Sequence, residues 1–324
     1  MKACIVGAGA IGGWIGVKLA QAGSELSVLA RAATLEALRG RGLTLHSAAG
    51  TVTVPVRASA DARDLGVQDL VVIAVKAPAL AQVAPSVAPL LGPGTIVLTA
   101  MNGVPWWFFD GFGGRFAGTR LQAVDPDGSV ARAIPASKIV GCVVHASCSV
   151  DAPGQARHHF GGRLIVGEPS GEKTERAQRL ATFLQRAGLE TVLSEQIQRD
   201  IWFKLWGNMT INPVSALTGA TSDLILGDVL VRGFVSSVML EAREIGARIG
   251  IPIDQRPQDR HQVTLKLGAF KTSMLQDVEA GKPVELDALV AVVRELGVLT
   301  GVATPFTDAL LGLARLHARV RGLY

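Results

Sequence analysis

Short apolar runs mark the first part of the chain and helical periodicities the last, and the change falls near residue 195. Lys2 to Val6 and Leu26 to Leu29 are brief β-rich runs. Between them Ile11, Trp14, Ile15, Leu19 and Ala20 recur at helical spacing, up to Gly23. Leu70 to Val75 and Ile96 to Ala100 are continuous apolar runs, the pattern of parallel strands buried on both faces. Residues 43–58 alternate as a hairpin does, and strand-like segments return at 139–149 and 164–167. Glu175 to Gly188 reads as an amphipathic helix, and Thr191 to Leu193 as a last short strand. Strands that alternate with helices predict an α/β domain built on a parallel sheet. From residue 195 the strand signals stop, and helical patterns cover 195–217, 228–250, 257–279, 284–301 and 305–320. The chain therefore reads as an α/β domain over 1–194 followed by an all-helical domain over 195–324, a division its length permits.

Composition narrows the setting. A hydrophobic fraction of 48% and a mean hydropathy of +0.34 allow large cores. No apolar run reaches the roughly 18 residues of a membrane span. A glycine loop begins at Gly7 and leaves no room for a signal peptide. The three cysteines, Cys4, Cys142 and Cys148, have no CxxC spacing. They fit buried thiols in a reducing, cytoplasmic setting rather than a disulfide framework. The net charge is +5, but its Lys and Arg are scattered, which argues against nucleic acid and fits small anionic ligands. His158-His159 lack the spacing of a metal site, and no metal is expected.

The first candidate site is Gly7-Ala8-Gly9-Ala10-Ile11-Gly12. It is a full G-x-G-x-x-G set between a strand and a helix, the context that makes the motif specific for dinucleotides. The first glycine makes the tight turn, the second admits the pyrophosphate, and the third lets helix and strand pack closely. The other reading is a glycine-rich turn with no ligand. NAD sites usually carry an acid at the end of the second strand. Here that strand ends Leu29-Ala30-Arg31, and an arginine can accept a 2′-phosphate, so the cofactor expected is NADPH/NADP+. Lys76 and Asn102 close the two buried strand patterns, at the end where open α/β sheets bind ligands. Each could equally be a polar strand terminus.

The second candidate site lies in Arg199 to Pro213. On a helix Lys204, Asn208 and Asn212 fall at i, i+4 and i+8 and form one polar stripe. The surrounding positions are Ile, Trp, Phe, Leu and Met. An ammonium and two amides in such a helix need partners, unless the lysine simply reaches past the core to water. Further on, Ser273 is open to being an ordinary helix serine, and Glu285 a first-turn carboxylate favoured by the helix dipole. Between the two parts, residues 104–136 hold Trp106-Trp107-Phe108-Phe109 in a glycine-rich stretch. This segment reads either as a cover over a pocket or as an oligomer contact.

Taken together and in order, these pieces resemble the ketopantoate reductase (2-dehydropantoate 2-reductase) family over nearly the whole chain. The carriers are Gly7 to Gly12, Arg31, Lys76, Asn102-Gly103, Trp202-x-Lys204-x-x-x-Asn208-x-x-x-Asn212-Pro213, Ser273-Met-Leu-Gln-Asp277 and Glu285-x-Asp287. The resemblance implies an N-terminal Rossmann dinucleotide-binding domain and a C-terminal all-helical domain like that of 6-phosphogluconate dehydrogenase. It implies NADPH-dependent reduction of 2-dehydropantoate to pantoate, on the route to coenzyme A. Lys204 then matches the general acid and Glu285 the carboxylate that holds the substrate, with Asn208, Asn212 and Ser273 as substrate contacts. Lys76 and Asn102 match positions beside the nicotinamide, Asn102 also touching substrate, and Arg31 matches the 2′-phosphate ligand. Two features depart from the family pattern. Ser222-Asp223 stand where many relatives have an Asn, and the 104–136 segment is longer than in compact members. They leave open a different 2-oxo acid as substrate. A non-catalytic NADP(H) sensor is the other alternative, although it has no use for the Lys–Asn–Asn stripe. A small anionic 2-oxo acid is the expected partner, with no nucleic acid and no membrane, and a homodimer is an open expectation.

Overall fold

The computed structural model describes all of residues 1–324. The chain forms two compact units. The first comprises Met1–Met101 and Gly128–Ile197, and the second comprises Asn102–Asp127 and Gln198–Tyr324. A single cut at residue 194 therefore misplaces the stretch 102–127. Its aromatic side chains pack with helical residues of the second unit, as described below.

The first unit is built on one sheet. Its strands are β1 (Lys2–Val6), β2 (Glu25–Leu29), β3 (Leu43–Ser47), β4 (Gly50–Val54), β5 (Arg57–Ser59), β6 (Gln68–Ile73), β7 (Leu91–Thr99), β8 (Ile139–Ala152), β9 (Gln155–Gly167) and β10 (Glu190–Leu193). Their order is β4-β3-β9-β8-β7-β6-β1-β2-β5, with β10 beside β9. β1 runs parallel to both β2 and β6, and β7 follows in parallel, so the apolar runs seen in the sequence occupy the buried centre. β8 and β9 form a long antiparallel hairpin. They extend beyond the sequence segments 139–149 and 164–167 because polar residues such as Arg157 and His158, paired across the ribbon, hide the apolar alternation. Its turn falls at Pro153-Gly154, where Gly154 takes a φ of 75°.

The helices of this unit are α1 (Ala10–Gln21), α2 (Ala32–Arg41), α3 (Ala77–Val83), α4 (Ser129–Ala133) and α5 (Glu175–Arg186). α1 lies close against the sheet, since a Cβ on Gly13 would stand 2.7 Å from the Ala156 methyl. Trp14, Ile15 and Leu19 of α1 join Ile5, Val28, Val72 and Leu98 in one core. His158 stacks on Trp14 with ring centroids 5.5 Å apart, and no cluster of potential metal ligands occurs. The cysteines are free, and burial pushes the Cys4 and Cys148 thiols up to about 12. No helix is long and apolar enough to cross a membrane.

The second unit is helical. It holds α6 (Ile197–Thr218), α7 (Ser222–Gly227), α8 (Val229–Arg248), α9 (Pro257–Leu265), α10 (Ser273–Glu279), α11 (Val292–Thr300) and α12 (Pro305–Val320), with a π-helical turn over Asp287–Ala291. The pattern over 257–279 is thus two helices, not one. Gly268 takes a φ of 66° between them, and Thr272 caps α10 by accepting from the Leu275 amide. Ser222 binds this break, donating to the Gly268 carbonyl at 3.0 Å. Residues 102–127 contribute the aromatic centre of the unit. Trp107, Phe108 and Phe109 are at most 1% exposed, and Trp106 is also buried. Phe108 lies 6.3 Å from Trp202, and Phe109 stacks on Phe112 at 6.4 Å. Neither a pocket cover nor an exposed oligomer contact describes them. The segment is core, and its apolar runs are there because they are buried.

Candidate functional site

In the first unit, β1 delivers the glycine set to the N-terminus of α1. Gly7 needs its φ of 96°, and a Cβ there would press on the end of β6, 2.9 Å from the Ala74 carbonyl carbon. Gly12 has no room at all: its Cβ would fall 2.1 Å from the Gly7 carbonyl oxygen. Gly9 differs, since a Cβ there would meet nothing within 4 Å. Gly7 and Gly12 therefore shape the loop, while the bare face at Gly9 leaves room for a ligand against the helix N-terminus, a natural seat for phosphate. Ala8, Ala10 and Ile11 complete the turn into α1. Arg31 is exposed and caps the start of α2 just past β2. Ala32 after it is the sole non-glycine residue with positive φ, at 45°. Such a backbone costs on the order of 1–3 kcal/mol and tends to persist at ligand sites. Lys76 is exposed three residues past β6 and opens α3. These residues fit a dinucleotide with a 2′-phosphate.

In the second unit Lys204 and Asn208 of the α6 polar stripe are half-buried, while Asn212 is buried at 7% exposure. Between Ile201 and Thr210, only Phe203, Lys204 and Asn208 escape full burial, and Asn212 lies one turn further on. The Lys204 Nζ donates to Asn102 Oδ1 at 2.8 Å. The amide oxygen accepts from the ammonium and so fixes the place of Nζ. Asn102 is itself held. Gly103, with φ 83°, lies so close to Ala288 that a Cβ would stand 2.5 Å from its carbonyl oxygen, and Val104 donates its amide to that oxygen at 2.9 Å. Ala288 is in the π-helical turn just after Glu285, so the Asn102 and Glu285 segments are pinned together by backbone. Glu285 is 5% exposed, and its carbonyl accepts the Leu289 amide at the helix start. Ser273 is exposed as the first residue of α10. Its neighbour Thr272, not Ser273, makes the helix cap. Gly103 was singled out in the sequence only as the neighbour of Asn102, and its contact with Ala288 was not legible there.

This combination defines a class: a two-part oxidoreductase, with a Rossmann-type dinucleotide cradle in one unit and a lysine-bearing helix in the other. The chain belongs to the ketopantoate reductase family. The model of that family, ketopantoate reductase PanE/ApbA, matches residues 3–107, and the model of its C-terminal part matches residues 196–318. The chain is similar to a 2-dehydropantoate 2-reductase of Mesorhizobium japonicum, with 47% identity covering 100% of both chains. It is similar to a crystal structure from Ralstonia solanacearum assigned to ketopantoate reductase, with 59% identity, a TM-score of 0.96 and coverage of 100% of this chain and 99% of that one. A 2-dehydropantoate 2-reductase from Geobacter metallireducens follows at 28% identity and a TM-score of 0.85, covering 98% and 99%.

Proposed function

We propose that this protein reduces 2-dehydropantoate to pantoate with NADPH, in the supply of pantothenate and coenzyme A. The observation that carries the reading is the Lys204 ammonium, held at 2.8 Å by Asn102 on the one open face of a buried helix. The bound nicotinamide supplies a hydride to the keto carbon of the substrate. Lys204 holds the proton that the new alkoxide oxygen needs and delivers it from Nζ, as a positioned general acid does. Asn102 orients that Nζ, and its backbone is fixed through Gly103 and Val104. Glu285 accepts from the substrate hydroxyl, while Asn208, Asn212 and Ser273 donate to its remaining oxygens. In the first unit Gly7 to Gly12 cradle the pyrophosphate, Arg31 takes the 2′-phosphate, and Lys76 serves the nicotinamide end.

The Ser222-Asp223 start of α7, where Ser222 is fully buried, favours one second reading, the same chemistry on a different 2-oxo acid. Ser222 and Asp223 are engaged locally, with Gly268 and Thr221, so they offer a substrate nothing of what an asparagine would. The protein works in the cytoplasm as a homodimer in this reading. Exposed Phe306, Leu313, Leu316 and Val320 on α12 support the dimer, because apolar surface of this kind marks contacts. Sedimentation would test it. The decisive experiment for the reaction is oxidation of NADPH against a panel of 2-oxo acids. The highest kcat/KM should belong to 2-dehydropantoate, and a better substrate elsewhere in the panel would replace it.

A further inference from the structure

Arg260 of α9 lies against α6 at Phe203 and Gly207. Its guanidinium carbon sits 5.2 Å from the centre of the Phe203 ring. At Gly207 a Cβ would stand 2.9 Å from Arg260 Nε and 3.1 Å from Nη2, so the missing side chain is what admits the guanidinium. Phe203 adjoins Lys204 in the chain, and Gly207 lies one turn from it on a neighbouring face. Since Phe203, Lys204 and Asn208 are the open positions of this stretch, Arg260 borders the strip that presents Lys204.

The guanidinium has no counter-ion. Its Nε is buried without a hydrogen-bond partner, and burial alone holds its pKa below the ordinary range. The adjacent acid, Asp259, is turned to Arg256, which it meets at 3.2 Å. The following residue, His261, is buried with both ring nitrogens unpartnered. Contact with Phe203 gives a cation–π attraction but leaves the Nε donor unmet. Two unfavourable choices thus coincide here: a largely desolvated cation without an anion and a glycine in mid-helix. Both are resolved if the missing anion comes with a ligand.

We propose that Arg260 is the carboxylate-binding residue of the site, pairing with the carboxylate of the 2-oxo acid so that Lys204 is left to serve the keto oxygen. The assignment rests on the reaction proposed above and divides its two cationic tasks between two residues.

The test compares 2-dehydropantoate with its uncharged carboxamide on the parent, Arg260→Gln, Arg260→Lys and Gly207→Ala proteins, with NADPH titration and thermal melts alongside. In Arg260→Gln the KM for the acid should rise about ten- to a hundredfold, the range for a charge-assisted contact. kcat should change far less, and NADPH affinity should hold. The carboxamide should be handled as by the parent, so the preference for acid over amide collapses. Arg260→Lys should keep part of it. Melting temperature should not fall, since the variant removes an unpaired buried charge. Gly207→Ala suits a helix and only displaces the guanidinium, so it should raise the acid KM by a smaller factor. An unchanged acid KM in Arg260→Gln, or equal losses on acid and amide, would overturn the assignment and leave the reaction standing. A parent protein that turns over no 2-oxo acid would overturn the reaction and the assignment with it.

Discussion

The glycine loop of the first unit and helix α6 of the second encode function in opposite ways. The loop works through backbone: Gly7 and Gly12 are there for what they lack, and Gly9 for the space in front of it. α6 works through side-chain tips set in an apolar helix. Its polarity is useful only because distant residues, Asn102 and Arg260, are brought against it. A backbone site can be read from one short stretch of sequence, whereas a side-chain site needs its partners.

The largest effect that separates the two should come from Lys204→Ala. Steady-state kinetics should show kcat/KM down by about 10²–10⁴-fold, as for loss of a positioned acid. NADPH titration should show affinity almost unchanged, because α6 belongs to the second unit. Lys204→Arg should restore little, since guanidinium keeps the charge but is a poor proton donor. Near-parent turnover by Lys204→Ala would return this lysine to a structural role and end the contrast.

Within the loop, Gly9→Ala and Gly12→Ala make a finer cut. A methyl at Gly9 touches no protein atom, so the variant should melt like the parent yet bind NADPH about ten- to a hundredfold more weakly, through contact with the dinucleotide alone. A methyl at Gly12 collides with the Gly7 carbonyl and should lower the melting temperature as well. If both variants lost stability equally, Gly9 would be a structural glycine and not a ligand-facing one.

Arg31→Ala sharpens the cofactor half of the comparison. Loss of a charge-assisted contact to the 2′-phosphate should narrow the preference for NADPH over NADH by about tenfold or somewhat more. Parallel titration of both cofactors reads it directly, and tighter NADH binding by the parent would refute the premise.

The smallest effect concerns stability. His261 is 4% exposed, and burial, followed by the Arg232 charge, holds its pKa below the ordinary imidazole value. As pH falls, the unfolded chain takes up this proton first. The native state is therefore unpenalised above about pH 6.5 and loses stability below it. Melts between neutral and mildly acidic pH should show a decline that is shallower in His261→Leu. Parallel curves for the two proteins would assign the acid sensitivity elsewhere.

Much of the first unit was legible because its signals are local. Buried parallel strands announce themselves as unbroken apolar runs, and G-x-G-x-x-G between strand and helix has few other uses. The division of the chain was less so. Residues 102–127 follow strand β7 without a compositional break, and nothing local tells that Phe108 packs beside Trp202, nearly a hundred residues later. The same distance hid the grip of Ala288 on Gly103. Arg260 was invisible for a different reason: one arginine among 32 basic residues carries no pattern until the glycine facing it is seen. The helix break at Gly268 was masked by apolar residues on both sides that keep helical spacing across the gap.

The aromatic centre of the second unit also makes the molecule its own optical probe. Of the five tryptophans, Trp106, Trp107, Trp202 and Trp206 are buried in the second unit, while Trp14 lies in the first against the ring of His158. Emission from the native protein should be blue-shifted and dominated by the helical unit. Its red shift in denaturant then reports the melting of that unit almost alone. Trp14→Phe would silence the remaining signal, and the difference between the two spectra isolates a single indole beside an imidazole. One fluorophore then follows the first unit while four follow the second.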